Sequence, residues 1–383
     1  LYLNKSGVVP LKPSAFFIPL FFLFSLLSYK PTDYFIVFKT HTFKMLLLFF
    51  ILSIIYSLNT DTTREFLLID IVNRLITLFL YVFSVLFFEN NKSKTTKIMF
   101  IISVVVLGLS IWYDTFFNLE YGIKILRKGG FAENPNVGAS ALKFLGLPLL
   151  LLVNNNKLKL IIFFGILATV FITFSRSGLI SLFLIMILML INEWQPTFNF
   201  NAKTLLTTIS KTIAILFLSY VVIFNIAKFI QSEIPSFAEG DAGDRIDMLL
   251  GEKENNSTFM NADDVSQGGR SSVAKNYLKK FMINPFGYGT GYTSDVTINF
   301  TDTHNYYLTV GINYGFIGLL TLFWFIIKSF RLSIINNNYY YFVFICLFCF
   351  ECFISNGVLS EKALVIVIAF MDQKLYTINH QNN

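Results

Sequence analysis

"TDTHNYYLTVGINYGFIGLLTLFWFIIK", residues 301–328, decides the fold class. Between His304 and Lys328 it carries no charged side chain, and Tyr, Phe, Leu and Ile dominate it. That run is long enough to cross a bilayer as one α-helix, which takes about 20 mainly apolar residues. Asp302, His304 and Asn305 stand at its mouth, and His304 is one of only 3 histidines in 383 residues. An ionisable group at the edge of so apolar a run needs a reason, and the reason depends on the rest of the chain.

Hydrophobic residues make up 55% of the chain and charged residues 14%, with a mean hydropathy of +0.62. A soluble domain carries about 25% charged residues because its surface faces water. Forty-five Phe do not fit inside a water-facing globule, but lipid tolerates them. The chain is expected to be all-α, a polytopic integral membrane protein. Apolar runs near 14–29, 43–58, 66–88, 98–117, 138–153, 159–175, 177–192, 204–230, 305–328, 338–354 and 358–371 suggest about 11–12 transmembrane helices. The first run, "AFFIPLFFLFSLLSY", is followed by Lys30 and Pro31, not by a small-residue cleavage site, so no cleavable signal is expected.

One hydrophilic excursion, 231–303, separates transmembrane helices in 1–230 from C-terminal ones in 304–383. The net charge of +7 reads as positive-inside bias on short loops, not as a nucleic-acid footprint. With the excursion outside, the inner loops carry twelve basic residues (Lys30, Lys39, Lys44, Lys92, Lys94, Lys97, Lys157, Lys159, Lys203, Lys328, Arg331 and Lys374). The outer short segments carry seven, Lys5, Lys12, Arg64, Lys124, Arg127, Lys128 and Lys362. The large loop is therefore expected to be extracytoplasmic. Cys346, Cys349 and Cys352 have a cluster-like spacing, but they lie inside "YYYFVFICLFCFECFI" and read as small apolar residues of one helix face. No metal site and no cofactor is expected.

Three stretches break the apolar pattern, and this topology brings all three to the outer face. In "GGFAENPNVGASA", 129–141, Pro135 biases Asn134 away from helix, so a loop ends at a helix start that Asn136 is placed to cap. In "TFSRSGLISLF", Arg176 sits between two apolar runs. As an anchor on the outer face it would run against the charge bias, so it is expected to meet an anion. The third stretch is "GGRSSVAKNYLKKFMINPFGYGTGY" with Thr303, His304 and Asn305 after it. Arg270 opens an amphipathic segment, 271–282, with Val273, Tyr277, Leu278 and Phe281 at helical spacing. "NPFGYGTG" then turns the chain, because its glycines permit left-handed backbone. Arg245, beside Asp244 and Asp247, ranks below the other two arginines.

These stretches resemble the O-antigen ligase and polymerase superfamily of bacterial membrane glycosyltransferases. The resemblance rests on "NPN" at 134–136, "FSRSG" at 174–178, "GR" at 269–270, "NPFGYGTG" at 284–291 and "HNYYL...GINYGFIGLL" at 304–320, in that order, and spans about 130–330. It implies a helical, GT-C-like enzyme of the bacterial inner (plasma) membrane whose active site faces the periplasm or exterior. The implied donor is an undecaprenyl-diphosphate-linked glycan. The implied acceptor is another glycan or lipid A-core, within the lipid bilayer; a chain-length regulator is a partner the resemblance allows. Arg176 and Arg270 would hold the diphosphate and His304 would orient or deprotonate the acceptor hydroxyl. Asn305, Arg245, Asn134 and Asn136 would contact substrate.

The local chemistry agrees. A departing lipid diphosphate gains negative charge, which guanidinium forks match bidentately, and imidazole takes protons near neutral pH. Repeat-unit polymerisation is the preferred activity and ligation to lipid A-core the alternative. A polyprenyl-linked glycan flippase or transporter is the rival of another class. It predicts inverted repeats and broken helices at matching positions, and the sequence offers neither.

Overall fold

The computed structural model describes residues 13–117, 128–132, 134–199, 205–233, 270–299 and 301–381. No strand occurs among them, and the all-α expectation holds. The helices are α1 (Pro13–Ser28), α2 (Tyr34–Lys39), α3 (His41–Ile55), α4 (Arg64–Asn90), α5 (Ser93–Phe117), α6 (Pro135–Leu152), α7 (Asn156–Ile172) and α8 (Arg176–Ile191). After them come α9 (Leu205–Glu233), α10 (Arg270–Ile283), α11 (Tyr306–Ile335), α12 (Tyr339–Ile354) and α13 (Lys362–Gln381).

Each apolar run coincides with a helix, and the amphipathic segment at 271–282 is α10. Among the described residues α4, α5, α6 and α11 are each long and apolar enough to cross a membrane. A fifth span arises if α3 and the short helical stretch before it, bent by 89° at their junction, count as one. That bend is absent from the sequence reading, which left 30–42 as a loop. Among the described residues, four to five helices therefore qualify singly. The α8 and α12 helices have 16 residues each, a rise of about 24 Å against a hydrocarbon core of about 30 Å.

Polarity is inverted relative to a soluble protein. On α5, Ile98, Ile102, Val105 and Leu109 form one exposed stripe; on α11, Phe316, Leu320, Phe323 and Ile327 do the same. Such faces suit lipid, which satisfies no polar group. The buried set instead includes His41, Lys143, Lys159, Glu351 and Asp372.

The chain divides into two compact units. The first takes the described residues of Leu1–Phe21, Asn91–Glu254 and Asn337–Val343; the second takes those of Phe22–Asn90, Asn255–Asn336 and Phe344–Asn383. In the first, α6 packs on α5, α7 and α8. In the second, α4 packs on α3 and α13, while α11 packs on α3 and α10.

Candidate active site

In the second unit, the motif "NPFGYGTG" is a clamp on a broken helix. Gly315 interrupts α11 with φ 60° and ψ −153°, a region essentially restricted to glycine. The break frees backbone groups that the helix would otherwise pair. Tyr288 N–H donates to the Ile312 carbonyl (2.7 Å), Gly289 N–H to that of Asn313 (3.1 Å), and Phe316 N–H to that of Pro285 (3.0 Å). The loop backbone thus replaces the missing helical ladder, as non-helical backbone inside a bundle requires. The fit leaves no space: a Cβ on Gly315 would lie 2.4 Å from the Phe286 carbonyl carbon.

The same loop is tied to the starts and ends of neighbouring helices. Thr290 Oγ1 donates to the Ser53 carbonyl at 2.7 Å. The fully buried Asp295 carboxylate accepts from Thr63 N–H (2.7 Å), Thr297 N–H (2.9 Å) and Thr297 Oγ1 (2.6 Å). Burial pushes the Asp295 carboxyl up, but these hydrogen bonds outweigh it and hold the group down at about 2. From below, Val273 and Tyr277 of α10 pack on Tyr292 and Ile312. The result is a fixed platform that leads directly into His304.

His304 is exposed and left-handed, with φ 48°. Asn305 follows as the cap of α11, its side-chain oxygen accepting from Leu308 N–H at 3.0 Å. Thr303 braces the turn by pairing with Thr309 at 2.6 Å. Among the described residues His304 has no side-chain hydrogen bond, so capping, the bland explanation for a histidine here, falls to Asn305.

In the first unit the other two motifs come together. Asn134, extended at φ −98° and ψ 125°, caps α6 by accepting from Asn136 N–H at 2.9 Å, and Pro135 is the first helical residue. The cap is therefore Asn134 and not Asn136. A residue before proline is already extended, which is what a cap needs. The start of α8 repeats the design of α11: Phe174 is left-handed (φ 51°), Ser175 caps through Gly178 N–H, and Arg176 is the first helical residue. A cation there opposes the helix dipole, so helix stability does not explain it. The two helix starts touch, since a Cβ on Gly178 would meet the Ala139 Cβ at 2.9 Å. Below them the buried Lys143 donates to Ser181 Oγ at 3.1 Å.

Arg270 opens α10, and Arg245 lies outside the described residues. Arg176 belongs to the first unit, Arg270 and His304 to the second.

Sequence reasoning missed one polar centre. Within the second unit a cavity of about 340 Å³ is bounded by α4, by Ser294, Val296 and Asp302, by the start of α11 and by 356–360. In its wall Arg74 Nε stands 3.7 Å from Asp70 Oδ1 and Arg74 Nη1 donates to Tyr306 Oη at 2.9 Å. Tyr314 Oη donates to Asp70 Oδ2 at 2.7 Å, and the guanidinium lies over the Phe49 and Tyr314 rings at 5.5 and 5.6 Å. The signal was present in "LLIDIVNRLITLF", where an acid and a base four residues apart interrupt an apolar helix.

No curated protein matches the chain. A family model described as O-antigen ligase matches residues 161–323, a stretch that holds "FSRSG", "NPFGYGTG" and "HNYYL". The sequence pattern, the helical membrane fold and this match agree: over residues 161–323 the chain is similar to the O-antigen ligase family, which supports the O-antigen ligase and polymerase superfamily of membrane glycan-transferring proteins.

Proposed function

We propose that this chain is an undecaprenyl-diphosphate-dependent glycosyltransferase of the bacterial inner membrane, acting on the outer face and polymerising O-antigen or capsule repeat units. One observation carries the reading: the O-antigen ligase match spans Arg176, Arg270 and His304 together, the residues best suited to the chemistry. The acceptor hydroxyl oxygen attacks the anomeric carbon of the donor sugar while the bond from that carbon to the diphosphate breaks. The hydroxyl proton passes to the His304 imidazole, and the electron pair leaves with the lipid diphosphate. Arg176 and Arg270 stabilise that developing charge, with Arg245 a further contact and Asn134, Asn136 and Asn305 shaping the helix starts beside the substrate. The reaction is metal-independent in this account.

Exposure of His304 on a rigid turn supports its role, because an acceptor hydroxyl must reach it. The description of the matched family favours a second reading, ligation of a finished chain to lipid A-core. The surface-glycan gel profile of a strain lacking the gene separates the two. A polymerase leaves core capped by a single repeat, whereas a ligase leaves bare core while lipid-linked polymer accumulates. Restoring the gene as His304→Ala is expected to leave transfer about 10²- to 10⁴-fold below wild type, the range of general-base catalysis. A wild-type profile from stably inserted His304→Ala would remove that residue from the mechanism.

A further inference from the structure

We propose that the Arg74–Asp70 cavity is the acceptor subsite and binds the terminal sugar whose hydroxyl is to react. This deepens the transfer reading and rests on it. The argument starts from charge. Among the described residues the charged groups lining the cavity are two carboxylates, Asp70 and Asp302, against one guanidinium, Arg74. Arg74 is committed to Asp70 and Tyr306 and sandwiched near two aromatic rings. Among the described residues a diphosphate would meet net negative charge and no cation beyond the paired Arg74 here. The hydroxyls of a sugar would instead meet acceptors on the carboxylates and mixed donors and acceptors on Asn73, Thr309 and Asn356.

Size agrees with that class. Ligand pockets run on the order of 300–1,000 Å³; this one, at about 340 Å³, accepts a terminal ring and not an extended oligosaccharide. Phe66 and Tyr306 supply apolar wall for the faces of such a ring. Position agrees as well. Asp302 and Tyr306 line the cavity, and His304 stands two residues from each, within about 7 Å along the backbone. His304 itself does not line the cavity, so a sugar held there would present its outer hydroxyl at the rim, toward the turn that carries His304. The bonds from Tyr306 and Tyr314 to the Arg74–Asp70 pair fix the wall, so the pocket is formed before the sugar enters.

The test uses the purified full chain in detergent and the reducing oligosaccharides that mild acid releases from the host's own surface glycan. These lack the lipid diphosphate, so binding reports the acceptor subsite alone. Wild-type protein is expected to bind them saturably by saturation-transfer NMR. Asn73→Leu and Asn356→Leu, on two different walls, are each expected to weaken binding at least tenfold without lowering the thermal transition. Should one fail to fold, Ser360→Ala on the exposed rim takes its place. Arg270→Ala should bind like wild type yet fail to transfer. No binding by wild type, or binding untouched by the lining variants, overturns the subsite. If transfer by the same preparation persists in that case, the enzyme reading survives without it. Binding that the lining variants weaken, with no transfer by wild type, supports the sugar site and removes the enzyme reading.

Discussion

Asp295 is the residue on which the geometry beside His304 most depends. It is buried, and three donors from Thr63 and Thr297 meet its carboxylate. With a folded value of about 2 against an ordinary 3.8, the folded state favours the ionised form. Its contribution to stability is therefore complete above about pH 4 and lost as pH falls through about 2. Asp295→Asn should lower the melting temperature in detergent at pH 7, and the gap to wild type should shrink as both are measured from pH 4 down to pH 3. A gap independent of pH would assign the loss to packing. The loop acid was visible in the sequence, but nothing ranked it above the other acids of that loop, because one of its partners, Thr63, lies 232 positions away. His304 and Asn305 were legible, since a histidine and an amide at the mouth of an apolar run have few reasons to be there. Arg74 was legible only in principle: its i, i+4 acid sits in plain view, yet it reads as a helix-surface ion pair until the Tyr306 and Tyr314 hydroxyls are brought to it.

Among the elements, α11 and the loop before it form one device. The strings "NPFGYG" and "GINYG" were readable as turn and helix. Their pairing was not, because backbone groups that exchange partners leave no mark in side-chain chemistry. Gly315 carries the break, and Ala there would add conformational strain of about 1–3 kcal/mol and a clash with Phe286. Gly315→Ala should therefore lower the melting temperature by several degrees and reduce transfer together with it, since the platform holding His304 depends on the clamp. An unchanged melting temperature would show that α11 does not need the break. The helix starts at Arg176 and His304 share a second device, a left-handed residue followed by a cap, and this too was hidden. Phe174 in particular gives no sequence hint of φ 51°, because a bulky residue rarely adopts it.

For the molecule as a whole, composition and charge were enough to establish a helical membrane protein. Among the described residues four to five helices are long and apolar enough to span alone, while others, such as the 16-residue α8 and α12, are apolar but shorter. The bias of basic residues toward one set of loops supports an outward-facing large loop, and the exposed stripes of α5 and α11 support a lipid surround. The central claim is chemical, and the most direct measurement is reconstitution. Purified protein in lipid vesicles is supplied with the host's undecaprenyl-diphosphate-linked repeat unit as the sole glycan, and both the glycan and the released lipid diphosphate are followed. The account predicts lipid-linked products two or more repeats long, one lipid diphosphate released per bond formed, and loss of both with Arg176→Ala, Arg270→Ala or His304→Ala. Folded wild-type protein that moves the lipid across the vesicle without lengthening the glycan or releasing diphosphate would contradict it.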